Sequence, residues 1–286
     1  FSLAVTYPSA GNLGGGGFMV IHLADGTNTT FDFREVAPSI LSDKLFLDNE
    51  GKVVPERSIK TVLGTGVPGT VKGLLTALKK YGTFNKKEIL SPAINLAENG
   101  FSLSFRHSES INYFNSEFNS HPSSKKIFTK NGDKFLYGDT LIQKDLANTL
   151  KIISEKGEDG FYNGDIADRL VQFIKDNGGV ISKEDLVNYT VLEKNPLSYE
   201  YKGYKIISMA PPSAGGIALI QAFQLFNKID FEKIKWNSSE YIYFLAEAFK
   251  YIYAYRNKYL GDPDFVEIPI DYLLSDELSE NIFSDI

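Results

Sequence analysis

The sequence predicts an α+β fold class. A β-hairpin lies near the start, Phe18 to Arg34. A long middle section follows with helical periodicity, Thr70 to Asn177. A second pair of strands is read in Val191 to Met209, with more helices after it. Strands gathered at two places, with runs of helix between and after them, fit α+β better than a one-for-one alternation.

The hairpin is the part around which the rest is organised. Gly14 to Gly17 carry no Cβ, so the backbone there can take a positive φ or lie close against another segment. Phe18 to Leu23 is apolar apart from His22, the pattern of a strand buried on both faces. Asp25-Gly26 signals the turn, in a loop longer than two residues. Thr29 to Arg34 alternates, with Phe31 and Phe33 on one face and Asp32 and Arg34 on the other.

A loop from Glu35 to Ser39 and a variable segment to Ser58 follow, with a turn at Asn49 to Gly51. Gly64 to Gly69 reads as a flexible entry to a helix over Thr70 to Tyr81, whose stripe is Val71, Leu74, Leu75 and Leu78, with Gly82 as C′ residue. Asn85 and Glu88 form a capping-box pattern for a helix to Glu98, and Pro92 predicts a kink or break near Leu90-Ser91. Leu103 to Phe118 is read as helix, Asn119 to Ser124 as polar loop, and Asn131-Gly132 as a hairpin turn within Phe128 to Tyr137. Asp139 to Glu155 is read as helix with Leu146, Leu150 and Ile153 aligned, and Gly157 to Gly164 as a connector. Asp165 to Asn177 is a further helix, and Ser182 with Asp185 opens a short one.

Two strands are placed around Tyr201-Lys-Gly-Tyr. Pro211-Pro-Ser-Ala-Gly-Gly introduces a helix from about Ile217 to Phe226, and Ser238 to Tyr259 is the longest helix, aromatic along much of its length. Asp271 to Ile286 carries a weaker helical pattern. With no repeat, no low-complexity linker and no shift in composition, residues 1–286 are read as a single domain. Phe1 to Tyr7 resembles the end of an apolar helix without a basic n-region, so the protein is expected to extend beyond Phe1.

Composition narrows the function classes. A net charge of -6 and the lack of any basic cluster argue against a nucleic-acid partner. There is no cysteine, hence no thiol nucleophile, disulfide or thiolate metal site. His22, His107 and His121 are far apart with no His-x-x-x-His pair, so no metal site is assigned. No stretch approaches the length of a membrane span.

Motifs for nucleophiles and nucleotides are missing or misplaced. There is no Gly-x-Ser-x-Gly elbow, and Ser123-Ser-Lys-Lys126 stands alone in a polar loop. Gly14 to Gly17 precede a strand, whereas a phosphate loop follows one. Ser213-Ala-Gly215-Gly216 before a helix could present N–H groups to an anion, but capping and close packing are the commoner uses. Asp262, Asp264 and Glu267 read as a turn rather than a calcium site. Arg34 has two readings. Its planar fork can grip a carboxylate bidentately, or it can pair with Asp32 or Glu35, the commoner fate of an arginine near carboxylates.

Five blocks in order resemble the gamma-glutamyltransferase (gamma-glutamyl transpeptidase) family: Asn12 to Met19, Phe31 to Pro38, Gly66 to Gly73, Pro211 to Gly216, and Ala246 to Phe265. The resemblance implies an N-terminal-nucleophile hydrolase fold, an αββα sandwich, of which this chain is the helix-rich, incomplete large-subunit part. It implies a precursor that cuts itself, and a small partner subunit whose new N-terminal threonine is the nucleophile with its own α-amine as base. Glutathione or a similar gamma-glutamyl compound is the implied donor, and water, an amino acid or a peptide the acceptor. No cofactor is implied.

The family's Thr-Thr-His-x-Ser motif is absent, since Thr29-Thr30 is followed by Phe31, so no residue of this chain is assigned as catalytic. Arg34 stands where the family holds the α-carboxylate of the gamma-glutamyl group, and the resemblance turns its reading to substrate binding. The family's oxyanion glycines belong to the small subunit, so Pro211 to Gly216 is not given that role. Ser213-Ala214 departs from the family's Ser-Ser. The family expectation for location is periplasmic or extracellular.

Overall fold

The structure, a computed structural model, describes residues 1–231 and 233–286. Among these residues seven strands form: β1 (Phe18–His22), β2 (Asn28–Asp32), β3 (Phe101–Ser102), β4 (Thr140–Leu141), β5 (Leu192–Lys194), β6 (Leu197–Tyr201) and β7 (Tyr204–Ser208). The remaining regular structure is helical. Contacts gather into two compact units, one of Phe1–Gly17 with Phe33–Val191, the other of Phe18–Asp32 with Leu192–Ile286.

The first unit is a helical core. Leu90, Ala93 and Ala97 of the Lys86–Asn99 helix are fully buried, in one cluster with Ala147, Leu150 and Ile153 of the Lys144–Lys156 helix. Ala4 and Val5 of the Ser2–Thr6 helix join them, and the buried Gln143 side chain donates to the Val5 carbonyl at 2.8 Å. The capping box is present: Asn85 Oδ1 accepts from the Glu88 N–H at 3.0 Å, and Glu88 Oε2 from the Asn85 N–H at 2.9 Å. The expected break at Pro92 does not occur, because the 14-residue helix runs through it. An interior proline costs about 3 kcal/mol. Three fully buried residues on the same helix offset a cost of that size.

Other expectations in this unit need correction. Asp139 to Glu155 is not one helix: Thr140–Leu141 is a strand paired with Phe101–Ser102, and the helix begins at Lys144. Leu141 is buried there in a small cluster with Leu103 and Phe135, an apolar demand that overrides local helix preference. The Leu103 to Phe118 helix is split at Phe114 into Phe105–Tyr113 and Asn115–Ser120. Part of the expected polar loop is helical, since Pro122 opens a Pro122–Phe128 helix at N1, where a proline loses nothing. The Asn131-Gly132 turn is formed with φ 57° and 104°, but it joins a single bridge, Lys130 to Asp133, with no strands beyond. The expected connector Gly157 to Gly164 contains a helical turn, Asp159–Tyr162. Gly82 closes its helix at φ -78°, not left-handed; a Cβ there would sit 2.6 Å from the Leu78 carbonyl oxygen, so close approach is what it provides.

In the second unit β2 is central, antiparallel to β1 on one side and to β5 on the other. Lys194 on β5 donates to Asp32 Oδ2 at 3.1 Å and to the Pro211 carbonyl at 2.9 Å. β5 escaped the sequence reading, being three residues of mixed polarity. The expectation that Phe18 to Leu23 is buried on both faces is wrong. β1 is an outer strand, and Phe18 and Val20 are exposed while Met19 and Ile21 are half-buried. An apolar run measures hydrophobicity and not which face is covered. β6 and β7 form the expected hairpin, with Lys202 at φ 47° and Gly203 at φ 83°. The Ser239–Tyr259 helix, capped by Ser238 Oγ, supplies Phe244, Ala248 and Ile252 to a core with Ile217, Leu225, Leu278 and Ile282. Buried Gln221 donates to the Leu273 carbonyl at 2.8 Å, tying the Gly215–Phe226 helix to the Ile270–Leu273 turn.

Two substitutions test the helical core by equilibrium urea unfolding. Leu150→Ala should cost about 3 kcal/mol through lost burial and the cavity left. Asn85→Ala should cost about 1 kcal/mol through loss of the cap. A Leu150→Ala cost no larger than that of Asn85→Ala would contradict the packing described.

Candidate functional site

Two stretches of the first unit, Asn12 to Gly17 and Phe33 to Pro38, build the site, and Phe33 is its pivot. Phe33 and Gly17 exchange both backbone hydrogen bonds, at 3.0 and 3.2 Å. The Phe33 ring is buried against Gly73, where a Cβ would lie 2.2 Å from it, and against Gly17, where a Cβ would be in tight contact at 3.1 Å. Gly16 crosses directly over the backbone of Phe33 to Glu35, since a Cβ there would lie 2.5 Å from the Phe33 carbonyl oxygen. These glycines serve close packing, one of the two uses expected for Gly14 to Gly17. The Gly15 carbonyl accepts from the N–H groups of Gly69 and Thr70 at 2.8 and 3.0 Å, which fixes the start of the Thr70–Tyr81 helix against the same loop.

Two tyrosines brace this arrangement from behind. Tyr189 Oη donates to the Arg34 carbonyl at 2.9 Å. Tyr162 Oη donates to the Pro68 carbonyl at 2.9 Å and accepts from the Lys72 N–H at 3.3 Å. Their rings stack at 6.0 Å and 7°. Lys72 Nζ closes the ring of contacts on the Tyr189 carbonyl at 2.5 Å. Burial pushes the Tyr162 phenol well above its ordinary value, so it remains a protonated donor. Gly69 is required here too, because a Cβ would overlap both the Phe33 carbonyl and Tyr189 Oη.

The chain then turns outward. Arg34 and Glu35 are exposed, and with Asn12, Gly15, Ser58 and Thr65 they line a cavity of about 540 Å³. The loop beyond is held twice. Val36 and Val67 exchange backbone bonds at 3.3 and 2.8 Å, and the Ser39 N–H donates to Asp185 Oδ1 at 2.9 Å. Burial works to raise the Asp185 pKa, but hydrogen bonds from Ser182 and Ser39 outweigh it and hold the carboxyl below its ordinary value. The expected flexible entry, Gly64 to Gly69, is instead part of this wall. Gly64 sits against the Ser58 carbonyl and Gly66 against Glu35, at φ values open to any residue. Chemically, the cavity offers a guanidinium fork whose backbone is immobilised on both sides, the arrangement that holds a carboxylate with least entropic loss.

The other sequence candidates lie elsewhere. Thr29 and Thr30 are buried in the sheet, donating to Glu193 Oε1 at 3.0 Å and to the Lys194 carbonyl at 2.8 Å. Gly216 packs onto the Met209 carbonyl, in line with close packing, but the helix starts at Gly215 with Ala214 as N-cap and no side-chain cap, and Ser213 Oγ accepts from the Gly215 N–H at 3.3 Å as a local turn. Asp262 Oδ1 accepts from the Asp264 N–H at 3.0 Å, a turn. Ser123 and Lys126 lie on an exposed helix. His22 bonds Asn28 at 2.7 Å, and His107 and His121 lie in other elements. Tyr162 and Tyr189 were not legible as supports, since nothing local in sequence joins them to Arg34.

A chain of this architecture has known relatives. Its structure is similar to a crystal structure of Helicobacter pylori gamma-glutamyltranspeptidase, with a TM-score of 0.96 and 45% identity, covering 100% of this chain and 82% of that one. It is also similar to the enzyme from Pseudomonas nitroreducens complexed with L-DON, with a TM-score of 0.93 and 34% identity, covering 100% of this chain and 84% of that one. The fold is therefore that of the N-terminal-nucleophile hydrolases, as the resemblance implied. The family profile described as gamma-glutamyltranspeptidase matches residues 1–286, and the chain belongs to that family. It is 42% identical over 287 residues to the glutathione hydrolase proenzyme of Escherichia coli (strain K12), covering 100% of this chain and 50% of that protein. The chain thus spans about half the length of the curated relatives it matches.

The bracing of Arg34 can be tested by calorimetry. Tyr189→Phe removes the bond to the Arg34 carbonyl and should cost about 1 kcal/mol. Gly73→Ala forces a methyl group into the Phe33 ring and should cost about 1–3 kcal/mol. A Gly73→Ala protein as stable as the wild type would show that the cradle is not tight.

Proposed function

We propose that this chain is the large-subunit portion of a gamma-glutamyltransferase, also called glutathione hydrolase. Its Arg34 binds the α-carboxylate of the gamma-glutamyl group. One observation carries the proposal: Arg34 is exposed at a cavity, on a backbone pinned from both sides, in a chain matched from end to end by the family profile.

The chemistry proposed is acyl transfer. The threonine hydroxyl on the small subunit attacks the γ-carbonyl carbon of the donor, and the threonine's own α-amine takes the proton. The C–N bond of the donor breaks and the amine leaves with a proton. Water or an acceptor amine then attacks the acyl-enzyme carbonyl, which frees the threonine. Every bond-making group belongs to the partner subunit; this chain holds the donor in register, where correct placement supplies much of the rate.

The small subunit is the partner we propose, with the two forming one αββα body from a self-cleaving precursor. The long helix exposes Ile242, Tyr243, Phe249 and Tyr253, and β1 exposes Phe18 and Val20; such apolar surface supports a covering chain. Glutathione is the donor by the names of relatives such as the Escherichia coli glutathione hydrolase proenzyme. A periplasmic or extracellular location is proposed with it, to be checked by cell fractionation. No helix among the described residues is long and apolar enough to cross a membrane. A second reading follows from a relative named acylase ACY 1 proenzyme, from Pseudomonas sp. (strain SE83), at 32% identity. In that case the scaffold is kept and another amide is the substrate.

The full precursor should release anilide from a gamma-glutamyl anilide, while residues 1–286 alone should not. Arg34→Ala should raise KM steeply with a smaller loss in kcat, a fall of about 100-fold in kcat/KM, since a charge-assisted bidentate pair is lost from substrate binding. Unchanged KM rules out the clamp. Turnover of other amides in preference to glutathione would favour the acylase reading.

A further inference from the structure

We propose that a second cavity, separate from the one at Arg34, binds a small amphipathic anion: a carboxylate carried on an aromatic or branched apolar body. The cavity has a volume of about 770 Å³, within the range of small-molecule sites.

Its wall comes from a helix face. In the Phe105–Tyr113 helix and its C-cap, His107, Ser110, Ile111 and Phe114 recur at i, i+3, i+4 and i+7, and all four line the cavity. Phe118 and Phe128 face them as a pair, with ring centroids 5.1 Å apart and tilted by 31°. Phe118 also meets Phe114 at 6.2 Å, so three rings form one continuous apolar surface. An aromatic or branched body fits between such rings in offset or edge contact.

The polar groups favour an anion. Arg106 is the one residue of fixed charge in the lining, and no carboxylate lines the cavity. Its guanidinium forms no ion pair with the described residues. His107 packs edge-on against Phe101 at 6.0 Å, and its Nδ1 is shut from solvent without a hydrogen-bond partner. A buried polar atom left unmatched by the fold is uncommon. The Ser110 hydroxyl lies one turn along the same face. A carboxylate on the Arg106 guanidinium, with the Ser110 hydroxyl at i+4 beside it and its body among the phenylalanines, pairs the fixed charge of the lining.

The test titrates the full-length protein with 3-phenylpropionate, its neutral amide and 3-phenylpropylamine, by saturation-transfer NMR. The expected order is anion, then amide, then amine, with about a tenfold preference for the anion over the amine. Arg106→Gln, an exposed position that leaves the fold intact, should abolish that preference and leave amide binding unchanged. Ser110→Phe, which fills the cavity, should weaken all three probes. Arg34→Ala should change none of them. Equal binding of the three probes, anion binding unaffected by Arg106→Gln, loss of binding in Arg34→Ala, or no saturable binding, as when another part of the full protein fills the cavity, would each overturn the proposal.

Discussion

The packing of Phe33 is the constraint on which the rest of the site depends. An aromatic ring is buried where two glycines leave room for it, and its backbone is locked to Gly17. Burying such a side chain contributes about 2 kcal/mol or more, and no rotation about the neighbouring peptides is possible without losing it. The next residue, Arg34, inherits that fixed direction. Its carbonyl is then held by Tyr189, and the loop after it by Val67 and Asp185. The immobility of Arg34 is thus a product of apolar packing, with hydrogen bonds adding direction.

The cores around this point are built by the same balance. Pro92 opposes a helix locally, yet Leu90, Ala93 and Ala97 lie on its buried face and the helix continues. Leu141 sits in a stretch that could have been helix, yet its burial with Leu103 and Phe135 selects a short strand. In both cases a tertiary demand of several kcal/mol overrides a local preference of lesser or similar size. Polar side chains in the cores act as ties. Gln143 and Gln221 each satisfy a carbonyl at the end of another helix, groups that the helix itself leaves open.

Features that depend on neighbours in sequence were legible. The Asn85–Glu88 box, the Ser182 and Ser238 caps, and the turns at Asn131-Gly132 and Lys202-Gly203 all formed where the residues indicated. The fold class was readable from five ordered motif blocks. Features that depend on distant neighbours were not. β5 is recognisable only once β2 lies beside it, and the exposure of Phe18 and Val20 only once β1 is known to be an outer strand. At the candidate site Arg34 was visible because a motif marks it. Tyr189, 155 residues away, was invisible because it reaches Arg34 through a hydrogen bond to a main-chain carbonyl, which leaves no pattern in the sequence.

The same contrast sets the surroundings of Arg34 apart from those of an ordinary surface arginine. An arginine that only decorates a surface gains less than 1 kcal/mol from its partners and needs no fixed backbone. Here Gly16, Gly69 and Gly73 are all committed to positions where any larger residue would collide with Phe33, its carbonyl, the residues just after it or, at Gly69, also Tyr189. A glycine kept in or beside a helix weakens it, by up to about 1 kcal/mol at an interior position such as Gly73. A fold that accepts such costs gains in return a main chain at Arg34 that is held in one place. A side chain that starts from a fixed main chain has less freedom to lose on meeting a ligand, which is the physical content of preorganisation.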